Sequence, residues 1–340
     1  MPNSISTLGQ QLSLVNRVKS MQMQMSQYQQ QISTGVKYQN FKEYGADAMR
    51  IQRYRADLVD LKGFMYNIDI ASINIEQMDA AIQETIEQAG NVLSAINTQL
   101  SQGSDYDLDS IKNAAKTALQ LVQANMNSKI GDRYLFAGTD VSNQPYTGAA
   151  IATTNLQARI SDWLDGTTTT ENLMPGIKGM TDSQLGYSGT LSSAKRVYAN
   201  ADVGFEVDYT VFANDEGFKK VVAGLNALAN MEEPVDGVDA PTKAQFHEVI
   251  DALYKYVQEG VEGLRSAASQ ISSASGTLGT VKKNHENDQQ SALKLLEKTE
   301  GTDVTEAAIR FQALQNQLDA SYRVTAIMSQ LTLSNYVNFG

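Results

Sequence analysis

Residues 131–140 read Gly-Asp-Arg-Tyr-Leu-Phe-Ala-Gly-Thr-Asp, two glycines framing Tyr134, Leu135 and Phe136. On either side of this decapeptide the chain has the rhythm of long helices; from here to about residue 240 it does not. Of the five prolines, Pro145, Pro175, Pro234 and Pro241 bracket this central block, and Pro2 sits at the extreme N-terminus. An interior proline costs a helix about 3 kcal/mol, so the proline-free stretches 3–144 and 242–340 are free to form very long helices. Half of the 24 glycines fall within 131–240, where turns are expected. The decapeptide therefore reads as the exit from a helical flank into an inserted segment. Gly131 and Gly138 supply the turns, and Tyr134, Leu135 and Phe136 anchor the junction.

Upstream, Leu58, Leu61, Met65, Ile68, Ser72, Ile75, Asp79, Ile82, Ile86, Ala89, Leu93, Ile96 and Leu100 follow alternating steps of three and four. Only Ser72 and Asp79 are polar. A sustained a/d stripe of this kind predicts coiled-coil packing. At 1.5 Å per residue it spans roughly 64 Å, the length of a rod. Another helix follows "GSDYDLDSI" and runs to about Ile130, its acidic first turn matching the helix dipole. Downstream, 242–299 reads as one or two helices, with Gly260, Gly263, Gly276 and Gly279 as soft points. Within the central block, Phe205, Val207, Tyr209 and Val211 alternate with polar residues as in a half-buried strand. "GFKKVVAGLNALANM" then reads as an amphipathic helix, and Trp163 as the centre of a small α/β domain. Because the heptad stripes lie outside 141–239, the expectation is that the rod survives deletion of that segment.

The two ends carry stripes of their own. The first helix presents Leu14, Val18, Met21, Met25, Tyr28 and Ile32 within the Gln-rich "MQMQMSQYQQQ", and should stop near Gly35. Asp303 and Glu306 form a D-x-x-E cap for a last helix bearing Val304, Ala307, Phe311, Leu314 and Leu318, with Tyr322 beyond. Met-rich, Gln-flanked faces are adaptable contact surfaces. Leu14, Val18, Met21, Met25, Tyr28, Ile32, Phe311, Leu314, Leu318 and Tyr322 are thus the expected assembly interface. No partner for them is evident within the chain, and isolated helices of this length are marginal in water, so both ends are expected to order on assembly. The resulting architecture is mainly α. It is a long antiparallel coiled-coil rod built from both termini, with an N-terminal assembly helix at 1–45, rod helices at 46–136 and 241–302, an inserted α/β domain at 137–240 and a C-terminal assembly helix at 303–340.

Composition narrows function. With 42% hydrophobic and 19% charged residues the chain can bury a sizeable core. It contains no cysteine, which removes disulfides, thiolate metal sites and thiol nucleophiles together. His247 and His285 are the only histidines and lie far apart, so neither a catalytic metal nor a cofactor is expected. The formal net charge of −11 argues against nucleic-acid binding, and it is uneven: +3 over residues 1–60 but −8 over 131–240. No P-loop, nucleophile elbow or metal-spaced cluster is present. Glu206 and Asp208 lie on the polar side of the expected strand, which is poor placement for a two-carboxylate hydrolase. No apolar run reaches the roughly 18 residues of a membrane span. "MPNSISTLGQ" lacks the pattern of a cleaved signal peptide.

Three motifs carry a resemblance. "QISTGVKYQN" (31–40), "NMNSKIGDRYLFAGTDVSNQPY" (125–146) and "LQNQLDASYRVTAIMSQLTLSNYVNFG" (314–340) are similar to the bacterial flagellin family, the second to its hook-associated branch. The likeness covers 1–140 and 241–340 well and the insert only loosely. The Asp-Asp-Pro or Asp-Asp-Ala element usual after "ISTG" is missing; "FKEYGADAM" (41–49) stands there. The resemblance implies a structural, non-enzymatic part of the flagellum that joins hook to filament, with filament-forming flagellin as the alternative. A soluble signalling coiled coil fits less well, because of the central insert. It further implies an extracellular location, export without a cleaved signal peptide, self-association in a ring, contacts with another hook-associated protein and with flagellin, and an export chaperone.

Overall fold

The computed structural model describes residues 3–102, 107–235 and 240–337, with side chains over 12–98, 107–235 and 240–327. The chain is mainly helical. Helix α1 (Asn3–Thr34) is followed by α2 (Asp47–Gln102) and α3 (Leu108–Met126), then by a minimal hairpin of β1 (Lys129–Ile130) and β2 (Arg133–Tyr134). The central segment contributes α4 (Ala149–Leu164), α5 (Thr170–Lys178), the antiparallel ribbon β3 (Tyr198–Asp202) and β4 (Phe205–Asp208), and α6 (Glu216–Asn230). Helices α7 (Lys243–Glu300) and α8 (Val304–Val337) complete it. Contacts divide the chain into two compact units, Met1–Lys62 with His285–Gly340, and Gly63–Asn284.

In the second unit the buried positions of α2 include the series Ile68, Ala71, Ile75, Met78, Ile82, Thr85, Ala89, Val92 and Ile96, with Asn74 and Ala81 buried beside it. Its members alternate by three and four, as a coiled-coil seam requires. They share Ile68, Ile75, Ile82, Ala89 and Ile96 with the stripe read from sequence. Between these, the structure buries 71, 78, 85 and 92 in place of the stripe positions Ser72, Asp79, Ile86 and Leu93, all four only half-buried. The polar Ser72 and Asp79 were the sign of this displacement, since each stands beside the small or apolar residue that faces the core. Leu58 and Leu61 in the first unit, and Met65 in the second, are half-buried; the side chain of Leu100 lies outside the described residues. Thr85, the polar member of this series, is satisfied. Its hydroxyl donates to the Ala81 carbonyl at 2.8 Å and accepts from Asn125 of α3 at 3.4 Å. So is the neighbouring Asn74, which donates to the Tyr209 hydroxyl at 3.4 Å.

Helix α3 opens on Asp107, whose carboxylate accepts from the Ser110 N–H (3.2 Å) and hydroxyl (2.6 Å). These bonds hold the Asp107 carboxyl below its ordinary range. The helix ends at Met126 rather than near Ile130, because Asn127 pairs with the backbone of Tyr146 instead, donating at 2.8 Å and accepting at 3.1 Å. Helix α7 is one unbroken helix, started by a full capping box. Gln245 accepts from the Thr242 N–H at 2.8 Å, and Thr242 accepts from the Gln245 N–H at 3.3 Å.

Gly260 and Gly263 are not soft points but contact points. A β-carbon on Gly217 of α6 would lie 2.8 Å from the Leu264 backbone nitrogen, and one on Gly260 would lie 2.9 Å from that of Val221. The two helices thus meet backbone to backbone, which is why α6 is buried nearly all round: Phe218, Val221, Val222, Leu225 and Leu228 are fully covered. Among the described residues of the insert the regular structure is mainly helix, with one antiparallel ribbon. Val207, Tyr209 and Val211 are buried as their alternation predicts, whereas Phe205, at the ribbon's turn, is exposed. Trp163 is buried, donates from Nε1 to the Thr170 hydroxyl at 3.0 Å, and stacks on Phe246 of α7. The insert, α2, α3 and α7 share one continuous core.

Candidate assembly surface

In the first unit the chain's two ends pair with each other. Helices α1 and α8 pack side by side. They run antiparallel, as the cross-bonds show: Gln22 Nε2 donates to the Tyr322 hydroxyl at 2.9 Å, and Arg310 donates to the Tyr28 hydroxyl at 3.4 Å. This overturns the expectation that the terminal stripes lack a partner inside the chain. Leu14, Val18, Met21, Met25, Tyr28 and Ile32 of α1 are all half-buried, as are Phe311, Leu314 and Leu318 of α8. Two helices of over 30 residues, each with an apolar stripe, cover one another. The stripe on α8 runs Ala307, Phe311, Leu314, Leu318, Ser321, so Tyr322 falls outside it and is exposed.

A different apolar set faces outward: Leu12, Val15 and Met23 on α1, and Ile309, Val324 and Ile327 on α8, each about half exposed or more. Both helices are therefore apolar on more than one side, and a sequence search for a single stripe passes over the second. The available signal was the excess of apolar residues over what one stripe can hold.

The pair is fixed at one end by a small knot. Gly35, at φ +72, closes α1 and its N–H reaches the Gln31 carbonyl at 2.8 Å. The Lys37 N–H then donates to the Glu300 carbonyl at 2.8 Å, and the Thr302 N–H to the Gly35 carbonyl at 2.9 Å, so the turn before α8 is stitched to the turn after α1. Asp303 caps α8, accepting from the N–H groups of Thr305 (2.9 Å) and Glu306 (3.1 Å). Tyr44 is buried beneath this stitch; its hydroxyl donates to the Tyr38 carbonyl at 3.0 Å, and burial pushes its pKa up. The carboxylate of Glu300, almost covered, is neutralised by Arg55, whose guanidinium lies over the Phe41 ring at 5.2 Å.

The junction decapeptide sits in the second unit. Gly131 and Gly138 both have left-handed backbone, at φ +59 and +62. Tyr134 is half-buried and its N–H donates to the Val141 carbonyl at 2.8 Å; Leu135 is buried and bonds the Ser128 carbonyl at 3.0 Å. Phe136 is fully buried edge-on against Phe218 of α6, 5.3 Å between ring centres, and its carbonyl accepts from Ala213 at 2.9 Å. The segment ties α3 to the insert through both rings and backbone.

No helix among the described residues is long and apolar enough to cross a membrane. Among them, no group of three His, Asp or Glu side chains is placed to hold a metal ion. No family model matches the chain, and no curated protein matches it. Among solved structures it is similar to a Vibrio parahaemolyticus protein assigned as flagellar hook-associated, at 13% identity and a TM-score of 0.55, covering 75% of this chain and 97% of that one. It is also similar to Bacillus cereus FlgL, at 14% identity and a TM-score of 0.48, covering 73% of this chain and 98% of that one. The likeness to the Vibrio structure shows that this chain has the fold of that flagellar hook-associated protein.

Proposed function

We propose that this protein is a structural, non-enzymatic component of the bacterial flagellum that joins hook to filament. The observation that carries the reading is the shared fold, which spans three-quarters of this chain and nearly all of the Vibrio hook-associated protein. The paired terminal helices support it, because their outer faces keep Leu12, Val15, Met23, Ile309 and Ile327 uncovered. Such faces serve a protein that works by packing against neighbours. On this reading the chain leaves the cell through the flagellar export channel, met beforehand by a chaperone for its C-terminal helix. Copies associate in a ring, contacting another hook-associated protein on one side and flagellin on the other.

Electron microscopy of cells lacking the gene tests this directly. The expected phenotype is hooks without filaments, with flagellin lost to the medium. Normal filaments on normal hooks overturn the reading. Seeded polymerisation of the purified chain separates a junction protein, which stops after a few layers, from a flagellin that extends micrometre filaments.

A further inference from the structure

Residues 21–31 hold six glutamines, a run that the apolar stripe of α1 does not account for. Three of them, Gln27, Gln30 and Gln31, line a groove together with Met23 and Ser26. Their spacing puts these five on one side of α1, apart from Met21, Met25, Tyr28 and Ile32. The opposite wall is the chain that returns from Gly35 over residues 37–43. The groove holds about 320 Å³, at the small end of the range for ligand sites.

The returning wall is fixed from within the chain. Gln31 donates from Nε2 to the Lys37 carbonyl at 2.8 Å, and Gln39 from Nε2 to the Thr34 hydroxyl at 2.8 Å. The Tyr38 N–H donates to the Tyr44 hydroxyl at 3.2 Å, and the Tyr38 ring stands edge-on to Tyr44, 5.2 Å between ring centres. Ser26, Gln27 and Gln30, by contrast, make no side-chain hydrogen bond among the described residues. An amide presents donor and acceptor in one plane and a hydroxyl serves as both, so these groups match a ligand that carries rows of hydroxyls. Ions find no free counter-charge here. Glu43, the carboxylate of the groove, accepts from Asn40 at 3.3 Å, and the Lys37 ammonium reaches the carbonyls of Lys298 and Thr299 at 3.4 Å. Met23 and Tyr38, 59% and 37% exposed, add two apolar surfaces, too little for an acyl chain but suited to the C–H face of a sugar ring.

We propose that this groove binds a neutral saccharide, its hydroxyls bonded by Ser26, Gln27 and Gln30 and one ring face laid on Tyr38. The site lies wholly within the first unit and does not depend on the hook–filament reading. Each bond to the sugar replaces bonds to water, so the net gain per contact is small and a dissociation constant of about 1 mM is expected.

Saturation-transfer NMR of the full chain with maltose, cellobiose, lactose and di-N-acetylchitobiose tests this. Transfer to at least one of the four is expected, strongest at the ring C–H protons. Gln27→Ala with Gln30→Ala should weaken that binding by about tenfold, the loss of one to two hydrogen bonds. Both residues are exposed, so circular dichroism and melting should not change. Gln24→Ala with Gln29→Ala, at exposed glutamines outside the groove, should leave binding as it was. Absence of transfer to all four sugars overturns the proposal. So does binding that survives the loss of Gln27 and Gln30, or that falls equally in the Gln24 and Gln29 pair. A neutral tetra-alanine peptide that binds more tightly than every sugar shows that the groove reads peptide amides, and overturns it too.

Discussion

At Gly138 a β-carbon would meet the Phe212 ring at 2.4 Å and the Lys195 carbonyl oxygen at 2.7 Å, on a backbone already at φ +62. Gly131 has nearly the same backbone, φ +59, but open space around it. An L-residue in left-handed conformation costs roughly 1–2 kcal/mol by itself. Gly131→Ala should therefore lower stability by about that amount, while Gly138→Ala should cost distinctly more, since the carbonyl beside it cannot swing away as a side chain can. Chemical denaturation of the two variants checks the ordering; equal losses would show that the wall around Gly138 yields. A second residue-scale test concerns acid. Burial raises the pKa of Asp208, but bonds from Arg196 and from Thr210, whose N–H donates at 2.9 Å, outweigh it and leave the carboxyl below its ordinary value. A depressed carboxyl contributes stability above the unfolded pKa of about 3.9, and that contribution disappears as pH falls through the folded value. The Arg196 side chain is about half exposed, so the effect is small, about 1 kcal/mol or less. Asp208→Asn should lose this amount at neutral pH and nothing further in acid; a loss that persists undiminished at pH 2 would assign it to packing.

Among the elements, α2 offers the sharpest test of register. Ile82 is fully buried and belongs both to the stripe read from sequence and to the observed seam, so Ile82→Asp should be severely destabilising on either account. Met78 and Asp79 discriminate. Met78 is 1% exposed, whereas Asp79 is only half-buried. Met78→Asp should cost several kcal/mol, because a buried charge without a partner cannot be solvated. Asp79→Ala should change little, within about 0.5 kcal/mol. Thermal melting of the pair would reverse this order if the seam ran through 72, 79, 86 and 93. The terminal helices make the same point about elements: α1 and α8 each bury their stripe only because the other is present. Hydrogen exchange should accordingly show amides of 14–32 protected in the full chain and unprotected once 303–340 is removed.

For the molecule as a whole, the insert and the long helices do not divide as the placement of prolines suggested. Phe218, Val221, Val222, Leu225 and Leu228 of α6 are covered by the same core that covers α3 and α7. At about 1.5–3 kcal/mol per buried side chain, their loss alone is comparable to the whole stability of a domain. Deleting 141–239 should thus leave the second unit unfolded or aggregated, with its cooperative melting transition lost. A deletion variant that melts as sharply as the full chain would show that α2, α3 and α7 are sufficient by themselves.

Much of this molecule is local and was therefore legible in one dimension. The absence of proline on both flanks, the cap at Asp303, the stop at Gly35 and the turns at Gly131 and Gly138 each depend on a residue's own backbone or on neighbours a few positions away. The seam register was half legible: Ile68, Ile75, Ile82 and Ile96 are unambiguous, but the choice between positions 71 and 72, or 78 and 79, depends on which side the partner helices approach. The role of Gly260 and Gly263 was not legible, because a glycine that admits another helix and a glycine that merely softens its own look alike until Gly217 is seen against them. The terminal stripes are visible in the sequence as apolar faces, but their partner is not, since the helix that covers α1 lies almost 300 residues away in the chain. Local sequence sets which surfaces must be covered. Only the tertiary fold decides what covers them, because burial is satisfied by whichever apolar face the topology brings into contact.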